Sequence, residues 1–389
     1  MVNEAIQHLL ETAEWFAGWQ SGFRYRRSCA DHQFRLAQAG QNALRQRHEV
    51  TACCLDIQAA FDCVSHNILR HVLLNLPIGN IWKRYLSRNL TDRFFAVRIS
   101  TTVGAFRPIR AGVPQGAVTS PTLFIIFTNH LFHRISDPHV KFGGLADDVL
   151  LFISGMRTPT GQRETKERME FALHTLYDEY RRIKLKLNAD KTQAIRFSLA
   201  NENQSLKICF NGKLLEWLPA VTYLGVVFDK QLLFTQHLER IIEKTDKRLT
   251  SLRYLCGRKV RMPTKQALTI YKAFIRPCIE WGCEAFLAMS PSNMAALQVV
   301  QNSALRTCLR RSIYASTNRM HQETNMPEIN ERIRLRTIKF LIRTMQVGTD
   351  AGKETALALF ETQPVAKCPS VRTVIGEIGG SLLANTLQP

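Results

Sequence analysis

Apolar positions along this chain follow two periods, and the change from one to the other divides it. Val50 to Leu55 is a short run of small and β-branched apolar residues that ends at Asp56. A helical spacing follows through Ile68, Leu69 and Leu73. Two strand-like runs, His139 to Leu145 and Val149 to Ser154, flank Asp147 and Asp148. From Thr165 to Arg182 the residues Met169, Leu173, Leu176 and Tyr180 fall on one helical face. Strand signals return at Ala194 to Phe197 and at Val221 to Phe228. After Asp229 only helical stripes remain: Leu238, Ile242, Leu249 and Leu252; then Met294, Leu297, Val300 and Leu305; then Ile333, Ile338 and Leu341. The pattern predicts a β/α region over residues 1–232, a helical region over 233–348, and a poorly structured tail over 349–389, where periodicity fades and Gly379–Gly380 occurs.

Length and composition sharpen that picture. A chain of 389 residues exceeds what one ordinary core serves, so two or three packed lobes are expected. With 45% hydrophobic and 22% charged residues it reads as globular. Lys plus Arg number 52 against 32 Asp plus Glu, a formal charge of +20. So large an excess favours a polyanionic partner, because neutralising phosphates releases counterions. The ten cysteines contain no C-x-x-C pair, which argues against a zinc knuckle and a disulfide framework and for a reducing compartment. The N-terminus has no signal-peptide plan, and runs such as Leu123 to Phe127 are too short to span a bilayer. The expectation is an intracellular protein, in the nucleus or cytoplasm or both, with no membrane partner. The sequence specifies no oligomeric state.

The acids carry the candidate chemistry. Two adjacent carboxylates at a turn, Asp147 and Asp148, repel each other and gain nothing from a core. A hard divalent cation relieves that repulsion, although a solvated Asp-Asp turn is the plainer reading. Asp56 shifts the balance, because a strand-end Asp beside a hairpin Asp pair can hold two metals about 3.5–4 Å apart. An ordinary alternative for Asp56 is the N-cap of a helix starting just after it. Between the acids, the loop AGVPQGAVTSP (111–121) is rich in Gly and Pro, which lets backbone approach a ligand closely.

Five segments now stand in one order: LDIQAAFD (55–62), GVPQGAVTSP (112–121), LADD (145–148), LNADKT (187–192) and YLGVVFD (223–229). Together they resemble motifs A to E of reverse transcriptases. QSGFRYRRS (20–28) and HLERIIEKTDKRL (237–249) resemble the non-LTR retrotransposon branch, particularly the jockey-like mobile elements. The resemblance implies an α+β right-hand polymerase: a palm of antiparallel sheet with packed helices and partial fingers over 1–232, then a helical thumb and connection region. It implies RNA-directed DNA polymerisation, nucleotidyl transfer from a dNTP to a DNA primer 3′-OH on an RNA template. Two Mg²⁺ ions, replaceable by Mn²⁺, would be held by Asp56, Asp147 and Asp148, with the Ile57 carbonyl as a further ligand. Phe61 would be the steric gate against a ribose 2′-OH. Gln115 and Gly116 would position template and incoming base, Lys191 would donate a proton to departing pyrophosphate, and Tyr223, Leu224 and Gly225 would grip the primer. Arg240, Lys244, Lys247, Arg248 and Arg253 would face duplex phosphates.

Some positions depart from the family pattern. Leu145 stands where an aromatic residue is usual, Ala117 replaces Ser, and Ala59 replaces Lys. The chain begins almost at the GFR segment, so the resemblance implies an N-terminally truncated copy that keeps its fold and lacks autonomous transposition. Two rival functions follow: a catalytically inactive nucleic-acid-binding remnant, and an RNA-dependent RNA polymerase, which a bulky Phe61 disfavours.

Overall fold

The computed structural model describes residues 2–199, 207–286 and 289–347; the tail expected over 349–389 lies outside them. The chain packs as two compact units. The first takes residues up to His32 together with Arg45–Leu218; the second takes Gln33–Leu44 and the chain from Pro219 onward.

In the first unit, α1 (Val2–Thr12) and α2 (Cys29–Arg45), whose middle belongs to the second unit, precede the sheet. Strand β1 (His48–Leu55) is followed by the two-residue β2 (Ile57–Gln58), then by α3 (His66–Leu74) and α4 (Asn80–Arg88). A narrow ribbon comes next, built from β3 (Phe94–Phe95), β4 (Arg98–Ile99), β5 (Thr102–Val103) and β6 (Arg107–Pro108). Helix α5 (Ser120–Thr128) precedes the hairpin of β7 (Val140–Leu145) and β8 (Asp148–Met156). Helix α6 (Pro159–Arg182), β9 (Lys186–Leu187), β10 (Gln193–Phe197), β11 (Cys209–Phe210) and β12 (Lys213–Leu214) complete it.

The main sheet runs β10-β1-β8-β7, antiparallel throughout. Strand β1 lies inside it, so Val50, Ala52, Cys53 and Leu55 are all buried and its sequence reads as a continuous apolar run. Helix α6 covers this sheet through Met169, Leu173, Leu176 and Tyr180. Its start is fixed locally: Pro159 supplies a ready φ, and the Thr158 hydroxyl accepts the Gly161 amide at 3.1 Å. The apolar TLFIIF run, open to helix or strand from sequence, forms α5, buried all round from Thr122 to Thr128. The ribbon is different. Phe94, Val97, Ile99 and Phe106 are exposed on it, and Ser100–Thr101 make its tip.

The second unit opens with a hairpin, β13 (Ala220–Tyr223) and β14 (Val226–Asp229). Helices follow: α7 (Thr235–Cys256), α8 (Thr264–Ile270), α9 (Arg276–Glu280), α10 (Pro291–Leu309), α11 (Thr317–Thr324) and α12 (Ile329–Val347), with a π-helical turn at Tyr271–Ile275 joining α8 to α9. Its core includes Phe234, Leu249, Leu252, Tyr271, Phe286, Leu297, Leu305 and Leu341. At its centre the buried Glu280 meets Arg276, Arg332 and Arg336 at 3.3, 2.8 and 3.0 Å.

Candidate active site

Asp56 follows the last residue of β1, and Asp148 begins β8 one register step beyond the Leu55–Val149 pair. Pairing of neighbouring strands therefore carries both carboxylates to one end of the sheet. Asp147 sits at the exposed turn between β7 and β8, where Ala146 takes φ +61°. Asp148 is open to solvent on one side, yet partial desolvation, then the charge of Asp147, then that of Asp56 push its pKa up to about 6. Asp148 thus feels the charge of both other acids. Among the described residues no three His, Cys, Asp or Glu side chains already converge as a closed metal cage. The set nevertheless suits Mg²⁺, which takes few protein carboxylates and completes its shell with water and phosphate oxygens.

The turn that carries Asp147 is braced from outside the sheet. Gln20 bridges Gly144 in parallel; the Ser21 amide donates to the Gly144 carbonyl at 2.9 Å and the Gly144 amide to the Trp19 carbonyl at 3.0 Å. Gly22 then passes so close that a Cβ there would lie 2.4 Å from the Ala146 nitrogen. Arg24, buried, donates to the Ala17 and Gln20 carbonyls and pairs with Glu11 at 2.6 Å. The QSGFR segment is structural support for the acid turn.

Asp56 is not the N-cap of a helix. After Asp56 the chain forms β2 and turns, and the helix starts only at His66 behind Ser65. Ile57 pairs with Leu187 in the short β2–β9 ladder, and the Asn188 amide donates to the Asp56 carbonyl at 2.9 Å. That hydrogen bond brings in the LNADKT turn, placing the Lys191 Nζ 3.9 Å from Asp56 Oδ2, both partly in solvent.

Phe61 is half-buried, stacked on the fully buried Phe124 of α5 with centroids 4.5 Å apart. Its backbone carbonyl accepts the Val113 amide at 2.9 Å, and the Val64 carbonyl accepts the Gly112 amide at 2.8 Å. The buried His66 ring lies 2.7 Å from the Gly112 carbonyl, and the Gln115 amide donates to Asp62 at 2.9 Å. Gly112, at φ +88°, is required there: a Cβ would lie 2.9 Å from the Asp62 carbonyl. The GVPQG loop is stapled to the stretch after Asp56, and Gln115 and Gly116 remain exposed at its tip. Sequence reading missed Asp62 and His66. Asp62 closes the LDIQAAFD segment and His66 follows it at the start of α3, but their partners lie about fifty residues on, where no local periodicity can point.

In the second unit, Tyr223 is buried and pairs with Val226 across a two-residue turn. Leu224 and Gly225 both have positive φ, 49° and 83°, so the turn twists as a tight hairpin demands. The Leu224 carbonyl accepts from the Gln33 amide at 2.8 Å and the Trp281 indole at 3.0 Å, which offsets the strain of a left-handed Leu. Gln33 and Trp281 were likewise not legible in sequence. Of the α7 cations, Lys247 pairs with Glu243 at 2.6 Å, Arg248 lies over the Phe274 ring at 4.2 Å, and Arg240 and Arg253 reach Thr222 and Ser303 at 3.4 Å; Lys244 is exposed.

Comparison with known proteins agrees with the motif order. Residues 1–228 match the family described as reverse transcriptase (RNA-dependent DNA polymerase), and the chain belongs to that family. Its α+β class with an antiparallel sheet is that of the right-hand polymerases. The chain is 29% identical over 330 residues to a probable RNA-directed DNA polymerase from transposon BS of Drosophila melanogaster, covering 82% of this chain and 36% of that protein. It is 23% identical over 331 residues to the RNA-directed DNA polymerase from mobile element jockey of the same species, covering 84% and 35%. The chain thus spans about a third of the length of these relatives. Among solved structures, a Candida albicans telomerase in complex with a telomeric RNA fragment aligns with 93% of this chain and 57% of that one, at 11% identity and a TM-score of 0.47. No described helix is long and apolar enough to cross a membrane.

Proposed function

We propose that this chain is the palm and thumb region of an RNA-directed DNA polymerase of a non-LTR retrotransposon, extending a DNA primer on an RNA template with dNTPs. The carrying observation is the convergence of Asp56, Asp147 and Asp148 at one end of the sheet, where partial desolvation, then the charges of Asp147 and Asp56, raise the Asp148 pKa to about 6. Such a group is costly unless a divalent cation joins it. Bound Mg²⁺ would supply the charge that activates the primer hydroxyl and stabilises the leaving pyrophosphate. The chain's own residues would do the rest. Asp56, Asp147 and Asp148 would hold the cations, with the Ile57 carbonyl as a further ligand. Phe61, backed by Phe124, presents a flat wall to the sugar and excludes a 2′-OH. Gln115 and Gly116 lie along the base and template. Lys191, within reach of Asp56, protonates the leaving pyrophosphate, and the Tyr223–Gly225 turn holds the primer end.

Primer extension on poly(rA) with oligo(dT), dTTP and Mg²⁺ tests this, comparing wild type with Asp147→Ala plus Asp148→Ala. Extension by the wild type alone supports the reading. No extension by a folded wild type that still binds primer–template would favour the inactive nucleic-acid-binding remnant.

A further inference from the structure

The α7 cations account for only part of the positive charge on the second unit. At the far end of α7 two loops meet, residues 257–263 and 310–316. Arg310 joins them: in the left-handed conformation at φ 52° that ends α10, it donates from Nε to the Cys256 carbonyl at 3.0 Å and from Nη2 to the Met262 carbonyl. One side chain therefore fixes the spacing of two loops that are distant in sequence.

What these loops carry is one-sided. Residues 254–265 hold Arg258, Lys259, Arg261 and Lys265 and no carboxylate. Residues 306–319 hold Arg306, Arg310, Arg311 and Arg319, again with no carboxylate. Arg258, Lys259, Arg261 and Lys265 are exposed and form no ion pair with a described residue. Glu323 of α11 engages Arg311 at 3.5 Å. Beside the charges stand exposed rings and apolar groups: Tyr254 at 66%, Ile313 at 74% and Tyr314 at 89% exposure. Cations held apart by a rigid stitch, with aromatic faces turned to solvent, make a surface for a backbone of phosphates whose bases can stack. A protein partner would have to meet this charge with a matching run of acids, and an apolar partner would leave it unpaired.

The position separates this surface from the primer turn. The start of α7 lies at the β13–β14 hairpin, where the Val227 amide donates to His237 at 3.4 Å. The loops lie at its other end, and its 22 residues span roughly 33 Å. We propose that the surface formed by Arg258, Lys259, Arg261 and Tyr314, organised by Arg310, binds single-stranded nucleic acid separately from the Tyr223–Gly225 turn. This adds a binding surface to the polymerase reading and does not depend on turnover.

The test is fluorescence anisotropy of the full chain with a fluorescein-labelled oligouridine, titrated across salt concentrations in EDTA without nucleotide. Because no metal or dNTP is present, the result stands whatever primer extension shows. Arg258→Gln, Lys259→Gln and Arg261→Gln together should lower the slope of log affinity against log salt by about 2, near 0.7 for each single-strand phosphate no longer neutralised. Tyr314→Ala should weaken binding roughly tenfold with the slope kept, as removal of one stacked base does. Thermal unfolding confirms that each variant is folded, and all four positions are exposed. An unchanged slope in the folded triple variant overturns the proposal. So does equally strong competition by a blunt duplex of the same length, or binding to phosphatidylserine vesicles that the triple variant loses while oligouridine binding survives.

Discussion

Replacing Gly22 by Ala should disable the acid turn without unfolding the protein. The new Cβ would stand 2.4 Å from the Ala146 nitrogen and 3.2 Å from its Cα. Non-bonded heavy atoms settle at about 3.5 Å, so turn and support must separate by roughly 1 Å. The obstructing atoms are backbone and cannot rotate away. The support cannot easily yield either, since Ser21 and Gly144 are hydrogen-bonded at 2.9 Å and Gly144 and Trp19 at 3.0 Å. The displacement therefore falls largely on Ala146 and Asp147. A shift of about 1 Å in a catalytic group costs on the order of a hundredfold in rate, equivalent to about 2.7 kcal/mol. The overpacking itself costs about 1–3 kcal/mol of stability. Steady-state primer extension should show kcat down roughly a hundredfold, in a protein whose circular dichroism is unchanged and whose Tm falls by several degrees. A folded Gly22→Ala protein with kcat within a factor of two of wild type would refute the idea that this close approach sets the position of Asp147.

Three further outcomes are expected. Phe61→Val removes the wall stacked on Phe124; competition between dTTP and UTP should show ribonucleotide incorporation rising at least about tenfold, the effect of about 1.4 kcal/mol, and unchanged selectivity would exclude Phe61 as the gate. Glu280→Ala leaves Arg276, Arg332 and Arg336 around a vacated buried carboxylate, so chemical denaturation should report a loss of about 3–5 kcal/mol, and a loss under ~1 kcal/mol would show the network to be dispensable. His237 is buried, and desolvation lowers its pKa from 6.5 to about 4. The unfolded chain therefore takes up this proton first: stability is untouched above pH 6.5, falls as pH drops below it, and has lost about 3 kcal/mol from this residue once pH reaches 4. Denaturation of wild type and His237→Gln across that range should give a flatter profile for the variant; parallel profiles would count against the assignment.

Local chemistry made much of the fold readable. The apolar run before Asp56, the two runs around Asp147 and Asp148, and the stripe Met169–Leu173–Leu176–Tyr180 each became the expected element, because period and burial coincide within a few residues. Where partners are distant, sequence failed. Val221 to Phe228 looked like a single strand signal but is a hairpin, since a left-handed Leu224 is tolerable only when Gln33 and Trp281 hold its carbonyl. The segment after Asp56 looked helical from its start because Asp and Ser are both good caps; Ser65 takes that position, and the stretch between is occupied by hydrogen bonds to the GVPQG loop. Within the candidate site, the acids were visible as residue types in an order. The residues that hold their surroundings in place, Gly22, Asp62 and His66, were not, because a support is defined by what it touches.

The narrow ribbon that precedes the GVPQG loop has a practical use. Its root is closed, with the Ile109 amide donating to the Arg93 carbonyl at 2.8 Å and Phe94 paired with Pro108. A chain clamped at its base transmits little of what happens at its tip, and lengthening an already closed loop costs only about 0.6 kcal/mol per doubling. The turn at Ser100–Thr101 is thus a cloning port: a peptide epitope or dye-accepting cassette spliced there would ride on the protein while leaving the acid turn and its staples undisturbed.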